Sequence, residues 1–212
     1  MRTATRVSRV STPSRSLNAA PAAAAAPQGL ANPAPLGLLG FGMTTIVLNL
    51  HNAGLFPLST MIAGMGVFVG GFAQIVAGIM EFRKNNTFGM TAFCAYGIFW
   101  LSLVAVWTFP ALGISDSSSP FTMGFYLVVW GLFTTGMFFG TLKLTRVHQF
   151  VFASLAVLFF LLAITDFTES SVMRLVSGVE GIVCGLSAFY GAIALVLNEQ
   201  FGRTVLPMGK PR

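Results

Sequence analysis

Apolar residues along this chain follow neither the alternation of a half-buried strand nor the one-sided stripe of an amphipathic helix; they run almost unbroken for about twenty residues at a time. Six such runs, at about 36–56, 60–80, 89–109, 122–142, 149–166 and 175–197, are separated by short polar breaks. At about 1.5 Å per residue, roughly 20 residues cover the roughly 30 Å of hydrocarbon in a bilayer, so each run is long enough to cross. The breaks carry turn chemistry: Gly54 to Ser59 with Pro57, Glu81 to Asn86, Ser115 to Pro120, Lys143 to His148, and Asp166 to Ser171. In lipid an open sheet would leave backbone amides unsatisfied, so each run predicts a helix. The expected fold is all-α. It is a polytopic membrane protein with six transmembrane helices arranged as three hairpins over 29–198, between a disordered basic tail at 1–28 and a C-terminal tail at 199–212.

Composition supports that reading. Only 8% of the 212 residues are charged, against roughly 25% in an ordinary soluble domain, and mean hydropathy is +0.79. Of the 12 Lys and Arg, all but Arg174 fall on one side of the membrane if the N-terminus is placed inside, which predicts cytoplasmic termini at a plasma (inner) membrane. The tail holds Arg2, Arg6, Arg9 and Arg15, many Ser and Ala and no acid, a composition that also suits a targeting segment and leaves an organellar membrane open. The net charge of +6 does not point to nucleic acid, because the basic residues sit at the ends of apolar runs and in the tails. Cys94 and Cys184 lie inside apolar runs without metal-ligand spacing, so no metal or other cofactor is expected. There is no GxSxG, HExxH or P-loop pattern, and the chain is not expected to be an enzyme or to hold catalytic residues.

Within the runs, Gly66 and Gly70, Gly136 and Gly140, and Gly181 and Gly185 are GxxxG pairs that would let helices pack closely. The odd-numbered helices recur every 55 to 60 residues or so, which hints at a threefold repeat. In the first run Asn32, Pro33 and Pro35 suit a capped helix start, while Thr44, Thr45, Asn49, His51 and Asn52 put hydrogen-bonding groups into apolar surroundings. His51 reads as an interfacial, hydrogen-bonded side chain near the outer end. His148, beside Arg146 in a break, reads as facing solvent or headgroups.

The segment Asn32 to Gly54, NPAPLGLLGFGMTTIVLNLHNAG, resembles the signature of the acetate uptake transporter family. Gly70 to Trp100, Met137 to Leu155 and Val196 to Gly209 are also similar to its bacterial members, so the likeness runs from about Ala31 to the C-terminus. The resemblance implies a hexameric ring with one pore per protomer, uptake of acetate with succinate as a second substrate, and a hydrophobic constriction formed by Phe41, Tyr96 and Leu155. Those three residues lie at a common depth in their runs, as a ring requires.

No Lys or Arg lies deep in a run, and taking a bare carboxylate through an apolar ring costs several kcal/mol or more. Either polar groups such as Thr44, Thr45, Asn49, Asn52, Gln74 and Thr91 replace hydration along a substrate pathway, or a proton travels with the acid. The expectation is proton-coupled uptake, with protons, acetate or a related carboxylate, and lipid as partners. Glu180, an acid about five residues into the last run from its outer end, and His51 are the candidate proton sites. A passive channel for acetate or formate is the alternative. An acetate-sensing receptor that transports nothing is a weaker one, because the tails offer little room for an output domain.

Overall fold

The computed structural model describes residues 29–210; the expected tail at 1–28 lies outside them. From Ala31 on, the chain forms one compact unit of helices. The six spans are α1 (Ala34–Asn52), α2 (Thr60–Arg83), α3 (Thr87–Thr108), α4 (Pro120–Lys143, tightening to 3-10 geometry over Thr141–Lys143), α5 (Arg146–Thr168) and α6 (Ser171–Gln200). All six are long and apolar enough to cross a bilayer.

Local chemistry sets the helix starts. Asn32 Oδ1 accepts from the Ala34 amide at 3.2 Å, and Pro35 occupies the first turn of α1, where no amide bond is lost. Asn86 caps α3 by accepting from Gly89 N at 3.1 Å, Ser119 caps α4 through Thr122 N at 3.2 Å, and Ser170 caps α6 through Met173 N at 3.3 Å.

Helix ends differ from the hydropathy reading in a way that matters. Hydropathy stops at the first polar residue, whereas helical hydrogen bonds continue into the polar interface. Thus α5 begins at Arg146 rather than near 149 and ends at Thr168, leaving a turn at Glu169 with φ +50°. Likewise α6 begins at Ser171 rather than near 175 and continues to Gln200. Asp166 and His148, which hydropathy places in loops, are therefore helical residues.

The helices close into a ring in chain order. Packing is closest between α6 and α1, α2 and α3, and α4 and α5, so the most intimate pairs lie across the expected hairpins rather than within them. Small residues decide this. A Cβ on Gly42 of α1 would sit 2.8 Å from the Gly185 carbonyl oxygen and 2.8 Å from the Phe189 nitrogen, both backbone atoms of α6. Gly66 and Gly70 of α2 likewise receive Val104 and Trp100 of α3, while Gly136 of the second pair has open space around it. Between Met65 and Ala73 the backbone of α2 widens into a π-helix at this contact.

Between α3 and α4 the backbones stand apart and aromatic side chains fill the gap. Tyr96 donates to Thr134 Oγ1 at 2.9 Å, and the rings of Phe99 and Trp130 lie 5.1 Å apart. Large apolar side chains such as Phe68, Phe121, Val129 and Phe139 are more than 60% exposed on the outside of the ring, the surface that faces lipid.

Candidate functional site

Among the described residues, cavities lie in axial succession inside the ring of helices. The middle one is lined by Phe41 of α1, Tyr96 of α3 and Leu155 of α5, with Gln74 of α2. These side chains are buried, with Phe41 and Tyr96 ring centroids 6.2 Å apart. They lie seven, nine and nine residues after the helix starts at Ala34, Thr87 and Arg146, a depth of roughly 10 to 14 Å. Alternate helices supplying one side chain each at one level is what a constriction needs.

The cavity measures about 20 Å³, room for about one water molecule. Its wall is carbon. Gln74 donates through Nε2 to the Gly70 carbonyl at 2.7 Å, and its Oε1 lies buried without a partner behind that wall. One helical turn further along α3 and α5, Phe99 and Phe159 meet edge to face at 5.2 Å. A solute larger than one water fits here only if these side chains move.

On the side where α1 starts and α6 ends lies a proximal vestibule of about 140 Å³. It shares Leu38, Ala92, Phe93 and Phe152 with the ring, and adds Glu81, Asn86 and His148. On the opposite side a distal vestibule of about 230 Å³ is lined by His51, Asn52, Trp107, Asp166 and Arg174. Lys and Arg are absent from the linings of both the ring and the proximal vestibule among the described residues.

The polar residues singled out from the sequence divide between axis and helix contacts. Gln74 lines the ring, while Asn52 and His51 line the distal vestibule, with His51 Nδ1 2.8 Å from the Phe56 carbonyl. Asn49 is buried against Gly181 of α6, donates to the Thr45 carbonyl at 2.9 Å and accepts from Asn52 Nδ2 at 3.0 Å. Thr44 is fully buried and reaches the Met65 carbonyl of α2 at 3.4 Å, and the Thr45 hydroxyl is buried without a partner. Thr91 is half-buried and lies outside the three linings.

Glu180 is deeper than its run suggested. It stands nine residues into α6, because that helix starts at Ser171, and accepts a hydrogen bond from Ser154 Oγ of α5 at 2.5 Å. Its other oxygen, Oε2, is buried with no partner. Ser154 neighbours Leu155, so this carboxylate reaches the level of the ring from the α5–α6 contact.

Sequence reasoning missed Glu81 and His148. Glu81 reads as the first residue of a charged break, yet it is 1% exposed and continues the buried stripe of Gln74, Ala77 and Gly78 down α2. That helical period was the available signal. The sequence places His148 at solvent or headgroups; the earlier start of α5 turns it into the vestibule, its Nδ1 2.7 Å from the Thr145 hydroxyl.

Residues 14–210 match the model of the GPR1/FUN34/yaaH family. The chain belongs to this family. It is 59% identical over 181 residues to the succinate-acetate/proton symporter SatP of Escherichia coli K12, an alignment covering 85% of this chain and 96% of that protein. It is 41% identical over 178 residues to the ammonia transport outward protein 2 of Saccharomyces cerevisiae, covering 80% and 63% of the two chains. Among solved structures, that of the bacterial acetate channel SatP matches with a TM-score of 0.84 and 58% identity, over 85% of this chain and all of that one. This family member is therefore an integral membrane protein, and the acetate uptake resemblance drawn from its motifs holds.

Proposed function

We propose that this protein carries acetate across a bilayer in its undissociated form or together with a proton, through the axis of each protomer, with succinate as a second substrate. The observation that carries this reading is the apolar ring of Phe41, Tyr96 and Leu155 set between two wider vestibules with polar side chains in their walls, with no Lys or Arg lining the ring. A carboxylic acid titrating near 4 to 5 is almost wholly ionised at neutral pH. Its anion loses hydration in such a ring at a cost of several kcal/mol, whereas the neutral acid leaves most of that penalty behind.

In this reading the ring selects for size, and Asn52 and His51 meet the solute in the distal vestibule. Thr44, Thr45, Asn49, Gln74 and Thr91 are secondary groups that exchange hydrogen bonds as the helices adjust. Glu180, beside the ring and with one oxygen free of partners, is the first candidate to hold the coupled proton. The exposed apolar outer face suits assembly into a hexamer, and the charge distribution suits a plasma membrane with both described ends cytoplasmic.

The second reading, a passive channel for the acetate anion, draws on the distal vestibule, where Arg174 and His51 would attract an anion. Labelled-acetate uptake into liposomes with pH gradient and voltage set independently separates the two. Uptake that follows the pH gradient at zero voltage supports proton coupling; uptake that follows voltage and ignores the pH gradient refutes it.

A further inference from the structure

The proximal vestibule contains an ionisable side chain that the pathway described above does not use. Glu81 is 1% exposed, and its carboxylate accepts from Asn86 Nδ2 at 2.8 Å. A Cβ on Gly89 would meet the Glu81 carboxyl carbon at 3.1 Å, so the carboxylate lies against the first turn of α3, where free backbone N–H groups favour negative charge. The vestibule shares four wall residues with the ring, so a solute moving between the ring and this end passes Glu81.

Among the described residues, no Lys or Arg lines the chamber. Lys84 donates to Asn32 Oδ1 at 3.2 Å and Arg146 to Gln149 Oε1 at 3.0 Å, both on the exposed rim, while Arg83 and Lys143 are exposed. From α5 the facing titratable group is His148, and α1 contributes only Ala34 and Leu38. Among the described residues, Glu81 is the one acidic side chain lining the chamber.

We infer that Glu81 makes the proximal vestibule a charge filter that rejects the free carboxylate anion and admits the neutral acid. This rests on the proton-linked reading above and adds a site to it. The ring discriminates by desolvation, whereas Glu81 discriminates by repulsion in a chamber wide enough for water, where desolvation alone would be weak. At an effective dielectric constant of about 20 and a separation of about 8 Å, one like charge favours the neutral species roughly thirtyfold.

The test is voltage-driven acetate flux in liposomes at equal pH on both sides, for wild type, Glu81→Gln and His148→Lys. Glutamine keeps an acceptor for Asn86 and removes the charge; lysine adds a fixed positive charge across the chamber and leaves Glu81 in place. Wild type is expected to show little voltage-dependent flux, and each variant to gain about tenfold or more. A merely structural role for Glu81 would lower flux and could not create this gain. If Glu81→Gln fails to fold, His148→Lys decides alone. Either variant, folded and as insensitive to voltage as wild type, overturns the filter. Strong voltage-driven flux in wild type itself overturns the proton-linked reading instead.

Discussion

The constriction makes its sharpest prediction at Leu155. That side chain is 3% exposed, and with Phe41 and Tyr96 it closes a cavity of about 20 Å³. A two-carbon acid needs more room than one water, so passage requires side chains to leave their wells. A side chain held about 30° off its rotamer costs about 0.5–1.5 kcal/mol. Replacing Leu155 by Ala removes that cost, which converts to roughly two- to twelvefold in rate. A three-carbon hydroxy acid such as lactate demands a larger displacement and should gain more than acetate, so the lactate to acetate ratio rises. The same truncation should lower stability by about 2 kcal/mol, the lower end for Leu→Ala, because the new space joins the vestibule through the shared Phe152 wall instead of remaining an isolated void. The assay is exchange of labelled acetate and lactate in liposomes, paired with thermal melting in detergent. Val129→Ala, on the outer face of α4 at 64% exposure, serves as the control and should leave both fluxes unchanged. Folded Leu155→Ala protein with both fluxes and their ratio unchanged would refute the ring as the throat.

Other substitutions probe the frame and the proton path. Gly42→Ala would set a Cβ 2.8 Å from two backbone atoms of α6, which cannot yield as a side chain end could, so thermal melting should show a loss of about 1–3 kcal/mol. Tyr96→Phe removes the hydrogen bond to Thr134, at about 0.5–1.5 kcal/mol, while keeping the ring's apolar face, so acetate flux should stay within about twofold. Glu180→Gln keeps a group that Ser154 can donate to and removes the titrating oxygen. If Glu180 holds the coupled proton, pH-gradient-driven accumulation falls while exchange of acetate at equal concentrations continues; an unaltered pH profile rules Glu180 out.

Much of this molecule is legible along the chain because a bilayer leaves few solutions. Backbone amides in hydrocarbon must close their own hydrogen bonds, so a run of about twenty apolar residues means a helix, and six runs mean six spans. The caps at Asn86, Ser119 and Ser170 are local as well, set by side chains three residues from the amides they serve. Phe41, Tyr96 and Leu155 could be placed at one depth from counting alone, since rise per residue is constant.

Tertiary structure decided which way each polar side chain faces and what it meets. Asn49 and Thr44 are only polar groups in an apolar run in a linear reading; in the folded ring one packs against Gly181 and the other reaches a carbonyl of α2. Glu81 looks like part of a solvated turn, but the turn folds back so that its carboxylate is enclosed between α2 and α3. Hydropathy is blind to these differences because it averages over the whole circumference of a helix. Azimuth is set by close packing at particular small residues, and only the folded ring of six helices defines an inside.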